Sequence, residues 1–187
     1  MDVITALKTR RSVRKFTTDM LTDSQIETII HAGQIAPSSR NTQARFFAVF
    51  KGYQAIETLL KNTREATARL PKSRYTETLL NPAYSLTYGA PVFIMVFGNP
   101  LETHCPDMDC ACSLQNMLLA AHGMGIASCW INQLCFVHED KSFRDYMTSL
   151  GIPTDYACYC SAAFGRYDGT YPAAPRLRSD TCVVIER

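Results

Sequence analysis

Four short segments of this 187-residue chain carry side chains whose type and spacing could do chemistry. The first is Arg10-Arg11-Ser12-Val13-Arg14-Lys15-Phe16. A phosphate monoester carries nearly two negative charges, and guanidinium forks with a hydroxyl hold it well. Arg10 and Arg14 reach the same side if helical geometry continues through them, because residues four apart are neighbours on a helix. Together with Lys8, these cations crowd one end of the sequence. Such a run is otherwise a solvated face or a patch for a polyanion. By itself it leaves both readings open.

The second segment is Ala36-Pro37-Ser38-Ser39-Arg40-Asn41-Thr42-Gln43. The hydroxyls of Ser38 and Ser39 and the carboxamides of Asn41 and Gln43 suit a heterocycle with alternating carbonyl and N–H groups. Taken alone it reads more simply as a proline-stopped helix and the cap of the next turn. The third is Gly123-Met124-Gly125-Ile126-Ala127-Ser128-Cys129-Trp130-Ile131-Asn132, a helix ending on glycine that runs into a strand. The glycines ease the reversal, and the strand's far end offers backbone N–H groups to a flat ligand. The fourth is Pro175-Arg176-Leu177-Arg178, where Arg-x-Arg on an extended arm puts both guanidiniums on one face. As a lone motif it could equally be solvated.

Helices and strands must position these groups. Residues 2–9 predict a short helix. Thr22-Asp23-Ser24-Gln25 predicts the start of another, with Thr22 as N-cap and Gln25 three residues on, a capping-box pattern. Ile26, Ile29, Ile30 and Ala32–Gly33 follow at helical spacing, and Pro37 ends the element. Residues 46–50 predict a buried strand, 53–70 a helix, and 71–81, polar and basic, a mobile flap. A second strand falls at 92–97. Residues 109–125 form a long helix with Leu114, Met117, Leu118, Ala121 and Met124 at intervals of three and four. It is apolar on too many sides for a surface helix, which places it at the centre or in a subunit interface. Residues 127–131 predict a strand, 139–150 a helix and 157–164 a fourth strand. The tail, 171–187, is a proline-bearing arm ending in Cys182-Val183-Val184-Ile185, an apolar run that wants a sheet edge. A partner subunit's edge is a natural place for it. The pattern is α+β, with helices around a central four- or five-stranded sheet.

Composition narrows the function classes. The chain is 47% hydrophobic and 10% aromatic, enough for a core, and its length fits one domain over residues 1–187. Its longest apolar stretch, 91–97, is far short of the roughly 18 residues that cross a bilayer. The start, Met1 to Lys8, lacks the basic head and apolar centre of a signal peptide. A cytoplasmic location is expected, with no membrane partner. A net charge of +2 makes no case for nucleic acid, and no aromatic platform accompanies the arginine run. The eight cysteines show no C-x-x-C spacing. They are expected to be reduced structural thiols, Cys158 and Cys160 sharing a strand face, and no metal is expected. His31, His104, His122 and His138 stand without a partner pattern and are expected to be structural or exposed.

RRSVRKF, then APSSRNTQ, then GIASCWI after a long apolar helix, then an Arg-x-Arg tail together resemble the FMN-dependent nitroreductase family. The likeness runs from about residue 7 onward and is weakest over 54–90. The resemblance implies an α+β sandwich with a mostly antiparallel sheet, a homodimer with an exchanged C-terminal strand, and two FMN sites at the subunit interface. It implies that Arg10 and Ser12, with Arg176 and Arg178, hold the FMN phosphate. Arg11 belongs to the same cradle and Arg14 approaches the N1–O2 edge of the ring. Ser38, Ser39 and Asn41 come from the other subunit, and backbone groups of Trp130, Ile131 and Asn132 face the N5–O4 edge. The family often has Lys-x-Arg where this chain has Arg176-Leu177-Arg178, a mild departure. The implied activity is ping-pong hydride transfer from NADH or NADPH to small acceptors such as nitroaromatics or quinones. No protein acid or nucleophile is required, because the cofactor carries the chemistry. The same fold also supports reductive dehalogenation, flavin modification, or non-catalytic flavin binding.

Overall fold

The structure, a computed structural model, describes residues 1–176 and 181–185. Its strands are β1 (Arg45–Lys51), β2 (Val92–Gly98), β3 (Ala127–Ile131) and β4 (Ala157–Gly165). They lie in the order β1-β2-β4-β3, and every neighbouring pair is antiparallel. The helices are α1 (Val3–Thr9), α2 (Asp23–Gln34), α3 (Tyr53–Thr67), α4 (Arg74–Leu80), α5 (Pro106–Gly123), α6 (Gln133–Val137) and α7 (Lys141–Ser149). No helix among the described residues is long and apolar enough to cross a membrane.

The layering follows from β2, all of whose residues are buried. Side chains alternate across a strand, so β2 must be covered on both faces. Phe93, Met95 and Phe97 pack with Ile56 and Leu59 of α3, Leu134 and Val137 of α6, and Phe143 and Met147 of α7. Val92, Ile94 and Val96 pack with Ile26 and Ile29 of α2 and with Leu114, Met117 and Leu118 of α5. Each large side chain so buried contributes about 1.5–3 kcal/mol. The central position expected for the long apolar helix is thus the place of α5, between the sheet, α2 and α1. Gly33 lets α2 approach it: a Cβ there would lie 2.8 Å from Met117 Sδ.

Local signals set several boundaries. Thr22 and Gln25 form the predicted capping box. Gly125, at φ +71°, ends α5, with the Ile126 N–H donating to the Ala121 carbonyl at 2.9 Å. Two expectations are corrected. The stretch predicted as a flap carries α4, started by a second box in which Ser73 and Thr76 bond each other's backbone N–H. Cys158 and Cys160 do not share a face. The register shifts between Val96 and Phe97, so that Val96 opposes Cys160 and Phe97 opposes Cys158. Tyr159 is the extra residue of this bulge, and the two thiols enter opposite core layers. The helix predicted over 139–150 is α7, and the five-residue α6 before it was not foreseen.

Asp140 joins two elements. Its carboxylate accepts from the Phe143 N–H as the N-cap of α7 and takes two bonds from the Arg69 guanidinium just past α3, both at 3.0 Å. Arg69 holds its carboxyl well below the ordinary 3.8. A depressed carboxyl stabilises the fold fully above its unfolded value and loses that contribution as pH falls below it. Asp140→Ala is therefore expected to cost about 1 kcal/mol at neutral pH, an ordinary N-cap loss. The difference should shrink below pH 3.8 in thermal melts of the two proteins.

Candidate functional site

The first arginine segment meets the third motif directly. Helix α1 stops at Arg10, whose ψ of 132° is extended, so helical spacing is not what relates Arg10 to Arg14. Instead the chain runs alongside β3. Ser12 bridges Ser128 in parallel, and the Val13 N–H donates to the Ser128 carbonyl at 3.0 Å. Val13 is buried and anchors the segment. Around the Cys129 thiol stand Arg14, the Ser12 hydroxyl and Arg10; burial pushes that thiol up, and these three oppose the shift.

Positive charge accumulates here without compensation. Burial, then Arg11, lowers the pKa of Arg10. Burial, then Arg10 and Arg11, lowers that of His122, whose Nε2 lies 2.8 Å from Thr9 Oγ1. Arg11 donates to the Arg10 carbonyl at 2.7 Å and to the Ala173 carbonyl at 3.3 Å, tying the tail to the segment. Among the described residues no carboxylate pairs with Arg10, Arg11 or Arg14. The buried Ser128 hydroxyl has no partner either. Uncompensated cations with spare hydroxyls are a donor set that fits a dianionic phosphate.

Strand β3 is an edge of the sheet. Because Ser128 turns its carbonyl to the Ser12 segment, strand alternation turns the Trp130 backbone groups to the same open side. Ile131 turns toward β4, and its carbonyl accepts from Ser161 Oγ at 2.6 Å. The Trp130 indole donates to the Asn132 side chain. The open edge beyond Val13 can therefore pair with a planar ligand carrying its own carbonyl and N–H groups.

The second motif lies elsewhere. The Ser39 N–H donates to Asp109 Oδ1 at 2.8 Å, and Thr103 holds Oδ2 of the same carboxylate at 2.9 Å. Ser38 Oγ accepts from the Gln43 N–H, and Asn41 Oδ1 accepts from the Gln43 side chain. Arg40, Asn41 and Gln43 all have φ between 51° and 54°, a left-handed run that non-glycine residues rarely adopt. Asp109 lies near the start of α5 and His122 near its end. Thirteen residues at about 1.5 Å each separate the two by about 20 Å. One chain thus does not bring Ser38, Ser39 and Asn41 to Arg10. Arg176 is exposed on the tail, and Arg178 lies outside the described residues.

Sequence reasoning missed two residues that shape this loop. Asp109 is buried, and so is Arg45, whose guanidinium donates to the carbonyls of Gln34, Ala36 and Pro37 and to Ser113 Oγ. The signal was a lone arginine heading the apolar run 46–50. The cysteines are all free thiols, and the described residues contain no cluster suited to a metal ion.

The fold is an α+β sandwich whose open sheet edge lies against a cluster of cations. The model of the nitroreductase family matches residues 7–166, and the chain belongs to that family. A nitroreductase from Bacteroides fragilis, solved with bound FMN, shares 32% identity at a TM-score of 0.91, with all of both chains covered. One from Desulfitobacterium hafniense, also with bound FMN, shares 25% identity at 0.85 over all of both chains. An Archaeoglobus fulgidus protein provisionally named NADH dehydrogenase/NAD(P)H nitroreductase is 30% identical across 84% of this chain and 80% of its own. A Methanothermobacter thermautotrophicus protein of the same name is 29% identical over 70% of this chain, a match that spans 60% of that protein's length.

Proposed function

We propose that the chain is an FMN-dependent NAD(P)H oxidoreductase, one FMN-binding domain over residues 1–187, that works as a cytoplasmic homodimer on small organic acceptors. The observation carrying this reading is the cluster of half-buried Arg10 and Arg11 and exposed Arg14 with Ser12 against the open edge of β3, paired with no carboxylate among the described residues. Arg10, Arg11 and Ser12 would hold the phosphate, with Arg176 and Arg178 of the tail closing over it. Arg14 would stand by the N1–O2 edge of the ring, where a fixed cation favours the reduced anion. Trp130, Ile131 and Asn132 would line its N5–O4 edge, the open-side backbone groups of Trp130 and Asn132 making the polar contacts. Bound there, FMN would supply two-electron hydride chemistry, and the protein supplies orientation and electrostatics.

The homodimer is supported by the separation of the two motifs along α5, which a second copy can close by bringing its Ser38, Ser39 and Asn41. It is also supported by unpartnered apolar surface. Val183, Val184 and Ile185 are 80%, 75% and 82% exposed. An open groove of about 350 Å³ lies among Val3, Ala6, Ile35, Leu119 and Ala120. Sedimentation of the purified protein, followed by its visible absorbance, tests both halves. The colour is expected to travel with a dimer and, on denaturation, to be released as FMN by mass. A colourless protein that takes up no added FMN would overturn the assignment.

A further inference from the structure

Helix α5 touches both halves of the proposed cofactor site, and it does so at opposite ends. In its last turn His122 Nε2 lies 2.8 Å from Thr9 Oγ1, and Thr9 directly precedes Arg10. The Thr9 hydroxyl gives its one proton to the Thr5 carbonyl at 2.7 Å, so toward His122 it accepts. The end of α5 thus holds the root of the arginine segment. In its first turn the Asp109 carboxylate accepts from the Ser39 N–H at 2.8 Å. The start of α5 thus holds the loop that carries Ser38, Ser39 and Asn41.

Asp109 is a buried carboxylate paired with no cation among the described residues. Its position at the start of a helix favours the negative charge. Its two oxygens are used separately. Oδ2 accepts from Thr103 Oγ1 at 2.9 Å. Thr103 is itself buried, in a turn fastened by its N–H to the Asn99 carbonyl at 3.2 Å and by the Asn99 N–H to the Ala44 carbonyl at 3.0 Å. Fixed from behind in this way, Oδ1 receives the Ser39 N–H from 70 positions away. A bond from an N–H to a carboxylate is stronger than one to a neutral acceptor. One turn further along α5, Ser113 Oγ accepts from the Arg45 guanidinium, which also holds the carbonyls of Gln34, Ala36 and Pro37. A buried anion therefore grips this backbone by an N–H while a buried cation grips it by its carbonyls. The loop beyond is left-handed at Arg40, Asn41 and Gln43, a conformation that persists only where its surroundings over-determine it.

We propose that Asp109, backed by Thr103, is a positioning residue for the flavin ring of the partner subunit and not for that of its own. This rests on the FMN homodimer reading above. About 20 Å of helix separates Asp109 from His122, so the loop that Asp109 fixes does not reach a cofactor whose phosphate lies on Arg10 of the same chain. It serves the site of the second copy instead. A carboxylate that touches no cofactor thereby sets how the hydroxyls and carboxamide of the loop are presented to the ring. The phosphate end takes no part, so Asp109 governs FMN and riboflavin alike, whereas Arg10 governs FMN alone.

The test titrates FMN and riboflavin against homodimers of Asp109→Ala, Asp109→Asn and Thr103→Val. Asp109→Ala is expected to weaken both ligands equally, about tenfold. That factor is about 1.4 kcal/mol, what one good hydrogen bond contributes net. Asp109→Asn should bind both nearly as wild type does, because its carboxamide oxygen still accepts from Ser39 and its Nδ2 can donate to Thr103 Oγ1. Thr103→Val, which keeps the shape but frees Oδ2, should fall in between. The deciding measurement is a mixed dimer of one Arg10→Ala subunit and one Asp109→Ala subunit, purified through two different tags. With Asp109 serving the partner's ring, one site combines an intact Arg10 with an intact loop, and half of the FMN sites recover wild-type affinity. With Asp109 serving its own ring, each site carries one defect and none recovers, which would overturn the proposal. Wild-type flavin binding by Asp109→Ala, or a larger loss of FMN than of riboflavin, would overturn it as well. If Asp109→Ala does not fold, Thr103→Val replaces it in the mixed dimer with the same two outcomes. These failures leave the cofactor assignment standing. A wild-type protein that binds no FMN, or binds it as a monomer, would overturn both readings.

Discussion

Arg10→Ala is expected to weaken FMN about ten- to a hundredfold while leaving riboflavin affinity nearly unchanged. A charge-assisted hydrogen bond contributes about 1.5–3 kcal/mol net, and each 1.4 kcal/mol is about a factor of ten. The guanidinium is half-buried, with burial already disfavouring its charge, and no described carboxylate offsets it. A phosphate would supply the missing compensation, whereas riboflavin has none to offer. Arg14→Ala should act differently. Its charge acts on the Cys129 thiol and the Tyr84 hydroxyl, on the side where the proposed ring would lie. Its removal should make the bound flavin harder to reduce. Titrating both ligands against both variants, with a dye-equilibration potential for each, separates the two jobs. Equal losses of FMN and riboflavin in Arg10→Ala would mean that the cluster is no phosphate cradle.

The sequence made this cluster legible because its information is local. Arg10, Arg11, Ser12 and Arg14 are adjacent in the chain, and the glycine stop before β3 is read directly from residues 123–125. Helix α2 was equally plain, since Thr22 and Gln25 state its start and Pro37 its end. What stayed hidden depends on contacts between distant residues. The opposite facing of Cys158 and Cys160 follows from one inserted residue in the pairing with β2, which alternation within β4 cannot reveal. Tyr84 and Gln133, 49 positions apart, meet only through the fold. Helix α4 was missed for another reason: the polar and basic character of its stretch outweighed a capping box in which threonine replaces the usual glutamate or glutamine. The arginine segment itself shows the limit of local reading. The backbone joining its cations is an extended segment bridged to β3 at Ser12 and not the helix on which the spacing argument relied.

Arg45→Met should be among the most destabilising single changes in the chain, at about 3 kcal/mol or more, although Arg45 pairs with no carboxylate among the described residues. Methionine fills similar apolar volume, so the loss isolates the polar contacts. The guanidinium donates at 3.1 Å and 3.0 Å to the carbonyls of Gln34 and Ala36, at 3.3 Å to that of Pro37, and at 2.7 Å to Ser113 Oγ. The first of these carbonyls belongs to the last turn of α2, where no intrahelical donor remains and the helix dipole favours a cation. Each buried acceptor left unpaired costs about 1–3 kcal/mol, and several are exposed to that cost at once. Ser113 keeps one partner, its bond to the Gly33 carbonyl at 2.9 Å, so its share of the loss is partial. Urea unfolding should show a lower midpoint at an unchanged slope. Arg45→Lys should fall between the two, because an ammonium keeps the charge but cannot span all four acceptors with one planar fork. A shift below about 1 kcal/mol in the methionine variant would mean that water replaces the guanidinium without strain. The same bonds hold the backbone from which Ser38, Ser39 and Asn41 project. The methionine variant should therefore also lose FMN at urea concentrations well below its unfolding midpoint, whereas Asp140→Ala, remote from the loop, should lose FMN only as it unfolds.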